Sequence, residues 1–595
     1  MIHYEMEETF PVTRDVLWDV VANTEHLNRT IGLPAVQFSP AVSDQSGLYR
    51  IAEARANMMN LKWKEYPFEW IRPELYSVYR EFIQGPFRWV QGGVKLYADG
   101  NSTRAVVFGD AEPKGLLGRM GARVGILGGI KKTLEYMREA VALRKKSNAD
   151  YIPRSATRTP TKETLLAQRF NRAQLMNENI ANGIRKLLIE GTDEEVLGIQ
   201  PLLVAMRLGE DPEEIVKALL FLVKHSIVSL DWKLLCPTCR VAKARAENLS
   251  DIPGQIHCDL CGITYDTNSA NSIEMRFRIH PSIRNAIENI YCIGGPANTP
   301  HVLAQTFLKP GERKQLQISH EFPELRIRNI KTRESAELPP NAAEVNAVFD
   351  GSSWKLKSTG ESSTLKIDLH NASERPLIVV LEDPELNRNV FTLARTLTLQ
   401  QFRDMFSREL LAPGLSVSVE SSAFLFTDLK DSTVMYERTG DANAYVAVRK
   451  HFDLLMAIIM RNRGAIVKTI GDAVMAVFLS EEDCLNAGLE ICAHANEFQK
   501  VLQSETNKVI KVGIHSGQAI LVNANDRMDY FGSTVNIAAR VQGLSSGADM
   551  VMTDIFMLPH CYGTLSRYRF DKEVFETKLK GIENLFNVVR LTNVS

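Results

Sequence analysis

The spacing of apolar and polar residues changes several times along the chain, and each change predicts a different kind of element. Residues Tyr4 to Phe10 read as a strand, and Val16, Leu17, Val20 and Val21 follow at helical spacing. A long aromatic-rich stretch comes next (Trp63, Tyr66, Phe68, Trp70, Tyr76, Tyr79, Phe82, Phe87, Trp89), and a helix is predicted over about 124–145. Residues 147–160, SNADYIPRSATRTP, read as an exposed linker. Helical patterns run from about 161 to 225. The last helix starts at Asp211-Pro212-Glu213-Glu214, a capping residue followed by proline at the first helical position, and a strand is expected over Ile227 to Leu230. Ile273, Met275, Phe277 and Ile279 alternate, and short strands broken by PPN, DGSS and STGESS predict a β-sandwich over 273–400, followed by a linker over 401–414.

From 415 onward the pattern predicts a compact series. Ala423 to Phe426 form a short apolar run expected as a buried strand. Tyr445, Val448, Phe452, Leu455 and Ile459 mark a long helix. Ala465 to Ile470 and Ala473 to Leu479 flank Gly471-Asp472, a dipeptide suited to a hairpin turn. A helix over about 481–503, a strand pair over 509–522 and a short helix beginning near Gly532 complete it.

Composition narrows the function classes. The 595 residues are enough for roughly four domains. Lys and Arg total 70 against 71 Asp and Glu, a net charge of -1, which gives no global reason to expect nucleic acid or an acidic membrane. The start, MIHYEMEETF, has no basic segment leading into an apolar one, and LLMAIIM at 454–460 is broken by Arg461 and Arg463. A cytoplasmic protein without a membrane span is expected.

Four of the eight cysteines, Cys236, Cys239, Cys258 and Cys261, stand as CPTC and CDLC with eighteen residues between the pairs. Two thiolate-bearing turns at that spacing predict a four-cysteine zinc ribbon over 232–272, a closed structural Zn2+ site in which His257 is redundant. Cys292, Cys484, Cys492 and Cys561 are scattered and are expected as reduced thiols.

The chemistry concentrates in FTDLKDST (426–433), VKTIGDAVMAVF (467–478) and MDYFGSTVNIAAR (528–540). Asp428 ends the buried strand and Asp472 sits in the hairpin turn. Two carboxylates brought close repel unless divalent cations stand between them, and carboxylate-plus-phosphate coordination suits Mg2+ or Mn2+. The helix that follows Lys430, Asp431, Ser432 and Thr433 offers free backbone N–H groups to a triphosphate. Asn536 and Arg540, four apart, share one helix face.

Together these motifs resemble class III nucleotidyl cyclases over about 415–591. The resemblance implies a ferredoxin-like βαββαβ palm over 415–595. Two Mg2+ or Mn2+ ions per active site would be held by Asp428, Asp472 and Leu429, with Lys430, Ser432 and Thr433 on the phosphates. Lys468 and Asp529 would read the purine; a lysine donor with an aspartate acceptor matches N1 and N6 of adenine, where guanylyl cyclases usually carry Glu and Cys or a similar pair. Asn536 would orient the ribose and Arg540 would hold the α-phosphate. Such enzymes assemble each site from two chains, so a head-to-tail homodimer converting ATP to 3′,5′-cyclic AMP is expected. Asp431 stands where many relatives have glycine.

Residues 1–146 resemble the START-like or polyketide-cyclase-like helix-grip family, which implies room for an apolar ligand between sheet and helix. Residues 161–231 look like a winged-helix arrangement, and the ribbon-plus-sandwich assembly resembles an uncharacterised bacterial region found ahead of cyclase domains. The fold class expected is α+β multidomain, and the function expected is an adenylate cyclase regulated by its upstream domains. Two other classes compete: an apolar-ligand binding protein with an inactive cyclase domain, and a nucleic-acid binder, which the balanced charge and the acidic start of the 212 helix disfavour.

Overall fold

The computed structural model describes all residues apart from 45–46, 57–58, 148–157, 176, 259–262, 320–323, 332–333, 386–389 and 595. The strand Ile2–Phe10 pairs antiparallel with Ser102–Pro113, and the long helix Leu127–Ser147 packs on them through Leu134 and Met137. Phe68, Trp70 and Tyr76 fill that core, whereas Tyr79, on the opposite face of its strand, is 37 % exposed and contacts the rings of Tyr66 and Trp89. Alternation along a strand sends successive side chains to opposite faces, so the aromatic stretch divides between core and surface.

The sheet does not stop at the end of this unit. Glu69–Ile71 pairs with Val302–Leu308, and Leu377–Glu382, Leu325–Asn329 and Ser335–Leu338 extend the same sheet to twelve strands. A second sheet of four strands (Arg313–Ser319, Thr364–Asn371, Ala342–Phe349, Trp354–Glu361) packs on this extension over a core that includes Leu308, Ile327, Val345 and Ile367. The sandwich therefore spans 302–382 rather than 273–400, and one of its sheets is shared. Ile273–Ile279, expected within it, pairs instead with Val228–Leu235, which also pairs with Ala242–Ala246. Alternation identified a strand there and carried no information on its partner.

Helices Glu163–Ala173, Glu178–Glu190, Asp193–Leu197, Pro201–Leu208 and Pro212–Lys224 precede this three-stranded sheet. Asp211 caps the last of them, accepting from the Glu213 amide at 3.4 Å. Most of the expected 147–160 linker lies outside the described residues, but Thr159 is fixed by the buried Asp193 carboxylate, itself paired with the buried Arg284.

The expected linker over 401–414 is a correction. Gln400–Met405 is helical, Phe402 is fully buried against Trp232 with ring centroids 6.0 Å apart, and Leu411 is buried. Phe402 on this helix, with Phe406 and Leu410 past its end, gives the segment an apolar packing face. That face belongs to one continuous core running from Leu166 through Trp232, Met275 and Phe402 to Phe424, Met475, Leu521 and Tyr530.

In the C-terminal part, the central strand Val417–Leu429 lies between Ala473–Phe478 and Ile510–Ala524, antiparallel to both, with Ala465–Ile470 outside the first. Ala423 and Leu425 face helices Asp441–Arg461 and Glu481–Ala493, whereas Phe424 and Phe426 face the shared core. Three sequence expectations change in detail. The helix after Asp428 is two helices, Ser432–Thr439 and Asp441–Arg461, broken at Gly440, and Tyr445 is 64 % exposed. The 481–503 helix is also two, Glu481–Ala493 and Ala495–Val501. The pair expected over 509–522 is a single strand, Ile510–Ala524, whose hairpin partner is Arg527–Phe531.

Candidate active site

The last residues of the central strand set the first carboxylate. Thr427 pairs with Val474, so Asp428 lies one residue past that pair and Asp472 two residues before it, on neighbouring strands. Asp472 is carried by the tight turn of the hairpin, where Gly471 takes φ +64, a conformation that glycine adopts without strain. Asp428 faces Lys511 directly across the sheet at 3.5 Å. Asp472 differs: its Oδ2 is buried with no hydrogen-bond partner among the described residues. An anionic oxygen withdrawn from water without a donor is costly, and a cation is the chemical remedy. The donor set of two carboxylates at adjacent strand ends, one with an orphaned oxygen, fits a hard divalent ion. Leu429 has its side chain buried in the core. Tyr436, in the following helix, is pushed up by burial and then by the Asp472 charge, and burial pulls His451 down while Asp472 opposes it.

Asp431 adopts φ +54, the left-handed conformation, at the N-cap of helix Ser432–Thr439, and its side chain makes no cap hydrogen bond. This is the physical reason a glycine suits the position, since a side chain is strained there. Lys430 donates its amide to the Val509 carbonyl, and its stem lies against Gly547. Ser432 and Thr433 occupy the first turn of the helix.

The chain brings Lys468 and Asp529 together. Lys468 Nζ lies 2.5 Å from Asp529 Oδ2, although sixty-one residues separate them. Asp529 Oδ1 accepts from the Tyr530 amide. Two side chains, the buried Gln400 and the half-buried Arg403, hold the backbone next to the pair, and sequence reasoning missed both. Arg403 donates to the Met528 carbonyl, and burial pulls its guanidinium below its ordinary value while Tyr530 and Asp529 oppose the shift. Gln400 Oε1 accepts from the Ile466 amide. No local signal marks either: Arg403 lies in the segment that reads as a linker, and Gln400 is the last residue of the expected sandwich.

Asn536 and Arg540 share helix Ser533–Gln542, with Asn536 exposed and Arg540 half-buried. The helix lies so close to Ile510–Ala524 that a Cβ on Gly513 would stand 2.2 Å from backbone atoms of Gln542. Glycine there is what lets the helix seat. The Arg540 guanidinium rests beside Gly581, where a Cβ would stand 3.5 Å from both terminal nitrogens.

Residues 416–586 match the family described as the adenylate and guanylate cyclase catalytic domain. Residues 164–290 match a family of unknown function. The chain is 27 % identical over 224 residues to an adenylate cyclase of Lachancea kluyveri, covering 34 % of this chain and 12 % of that protein. It is 25 % identical over 179 residues to adenylate cyclase 2 of Rhizobium meliloti (strain 1021), covering 27 % of this chain and 49 % of that protein. The chain thus spans half or less of the length of these relatives. Among solved structures, the catalytic core of a rhodopsin-guanylyl cyclase with converted specificity, in complex with ATPalphaS, is 23 % identical over 30 % of this chain and 99 % of that chain at a TM-score of 0.26.

Outside the cyclase domain, the thiols of Cys236, Cys239 and Cys258 lie within 4.8 Å of one another, all buried. Cys261 lies outside the described residues. The Arg240 amide closes the first turn on the Cys236 carbonyl, and Arg240 takes φ +57. Three thiols gathered around one point are a donor set that fits tetrahedral Zn2+. No helix among the described residues is long and apolar enough to cross a membrane.

Proposed function

We propose that this protein is an adenylate cyclase, converting ATP to 3′,5′-cyclic AMP and pyrophosphate. The observation that carries the reading is the coincidence, in a segment matching the cyclase catalytic family, of paired acids at adjacent strand ends with a preassembled Lys468–Asp529 pair. Mg2+ or Mn2+, two per site, would be held by Asp428, Asp472 and the main chain at Leu429, and would supply the positive charge that a triphosphate and an attacking alkoxide require. The ribose 3′-oxygen attacks the α-phosphorus, the bond to the β-phosphate oxygen breaks, and the 3′-hydroxyl proton leaves to solvent. Lys468 donates to N1 of adenine and Asp529 accepts from N6. Guanine reverses both, leaving two charged groups mismatched at about 1.5–3 kcal/mol each. Lys430, Ser432 and Thr433 face the phosphates, Asn536 orients the ribose, and Arg540 steadies charge on the α-phosphoryl group.

The acids and the Arg540 helix are read as serving different sites of a homodimer. Arg540→Ala is expected to slow turnover by about 3–4 kcal/mol of barrier, comparable to losing one preorganised donor. Mixing Arg540→Ala with Asp472→Ala protein is then expected to restore about a quarter of wild-type activity, because half of the random dimers hold one intact site of two. The assay is cyclic nucleotide formation from ATP with Mn2+, with GTP as control. A faster reaction with GTP refutes the base assignment, and no recovery from a demonstrably mixed dimer refutes the shared site.

The cysteine cluster is read as a structural zinc site completed by Cys261. Cys239→Ser is expected to lower zinc content from about one ion per chain toward none and to lower the melting temperature. Unchanged zinc content by elemental analysis would remove the assignment.

A further inference from the structure

The run from Lys114 to Leu134 (KGLLGRMGARVGILGGIKKTL) carries five basic side chains and no Asp or Glu, in a protein whose net charge is -1. It is helical throughout the described backbone: Gly115–Gly121, one wider turn at Ala122–Ile126, then Leu127–Ser147. Its inner side is anchored. Ala122, Ile130 and Leu134 are buried, and Gly118 approaches the Pro86 carbonyl so closely that a Cβ would stand 2.3 Å from it. Its outer side is apolar. Leu116, Met120 and Val124 are 76 %, 64 % and 77 % exposed and recur every four residues, so they form one stripe. Arg119 and Arg123 are exposed and follow Leu116 and Met120 by three residues, so they flank the stripe along one edge. Ile83, 50 % exposed, stands on the neighbouring hairpin, which Lys114 fixes by bonds to the Pro86 and Phe82 carbonyls.

A single exposed leucine needs no explanation, but an anchored helix with an apolar stripe, interleaved arginines and no acid is a different matter. An apolar protein groove would satisfy the stripe and leave the arginines without partners. A surface that is apolar below a layer of phosphates satisfies both, with the side chains of Leu116, Met120 and Val124 entering the acyl boundary while Arg119 and Arg123 remain among the headgroups. We propose that the exposed face of residues 114–124 docks the protein peripherally on anionic phospholipid bilayers. The attraction is local and needs no spanning helix.

The test is co-sedimentation of the full-length protein with vesicles of phosphatidylcholine alone or mixed with phosphatidylglycerol. Binding to the anionic vesicles is expected to exceed binding to the neutral ones by about tenfold or more and to weaken at high salt. Two variants separate the contributions: Leu116→Ser with Met120→Ser and Val124→Ser, and Arg119→Gln with Arg123→Gln. Each is expected to lose about tenfold in vesicle binding while keeping the wild-type melting curve, since all five side chains are exposed. The proposal is overturned by equal binding to neutral and anionic vesicles, by unaltered binding of both variants, or by a serine variant whose only change is a smaller mass in solution, which would make the stripe a contact between copies of the chain.

Discussion

Asp472→Asn is expected to lower cyclic AMP formation by about a thousandfold or more while leaving the metal-free protein as stable as the wild type or slightly more so. The two effects have one cause. Asp472 Oδ2 is buried without a hydrogen-bond partner in a residue that is otherwise half-buried, so in the metal-free chain that oxygen lacks the favourable contact a bound cation would supply. Asparagine keeps the shape and removes the charge. Asp428→Asn should be equally inactive yet lack the gain in stability, because Asp428 already faces Lys511 at 3.5 Å. That pair is partly exposed, and its loss costs no more than about 1 kcal/mol. Melting curves with and without Mn2+ supply a readout besides turnover. Wild-type protein should gain about 2.7 kcal/mol when Mn2+ is present at a hundred times its dissociation constant, and neither variant should. An Asp472→Asn protein that keeps its Mn2+-dependent shift would show that the carboxylate does not hold the ion.

The sequence made the site legible where chemistry is local. A strand tip, a Gly-Asp turn and an Asn and Arg four apart each occupy one short segment, so Asp428, Asp472, Asn536 and Arg540 can be placed on their elements from the sequence alone. Lys468 and Asp529 were legible as a matched donor and acceptor, and the fold adds that they meet within one chain. What stayed hidden depends on which strand pairs with which. Lys511 opposes Asp428 only because Ile510–Ala524 returns beside the central strand in one register. The same ignorance assigned Ile273–Ile279 to the sandwich and left the twelve-stranded sheet unseen. Asp431 is instructive in the opposite sense: its departure from glycine was visible in the sequence, and its left-handed backbone shows what glycine would relieve.

The segment 400–411 carries the largest structural consequence. Phe402→Ala is expected to destabilise the protein by roughly 3–5 kcal/mol, the cost of emptying a fully buried aromatic site. Phe402 is flanked by Gln400, which accepts from the Ile466 amide in the strand of Lys468, and by Arg403, which donates to the Met528 carbonyl beside Asp529. The three side chains leave one short helix, so loosening Phe402 should disturb both supports of the Lys468–Asp529 pair and, if that pair reads the base as proposed, raise KM for ATP more than it lowers kcat. The core around Phe402 also joins Trp232 and Met275 of the upstream region to Phe424 and Tyr530 of the cyclase domain, which makes the two parts one packing unit. Calorimetry of Phe402→Ala should therefore show the upstream and cyclase transitions moving down together, with Phe402→Leu shifted less because it refills most of the volume. A cyclase transition that stays at its wild-type temperature while another falls would mean that the shared core does not couple them. In that case regulation by the upstream region would need a different physical route.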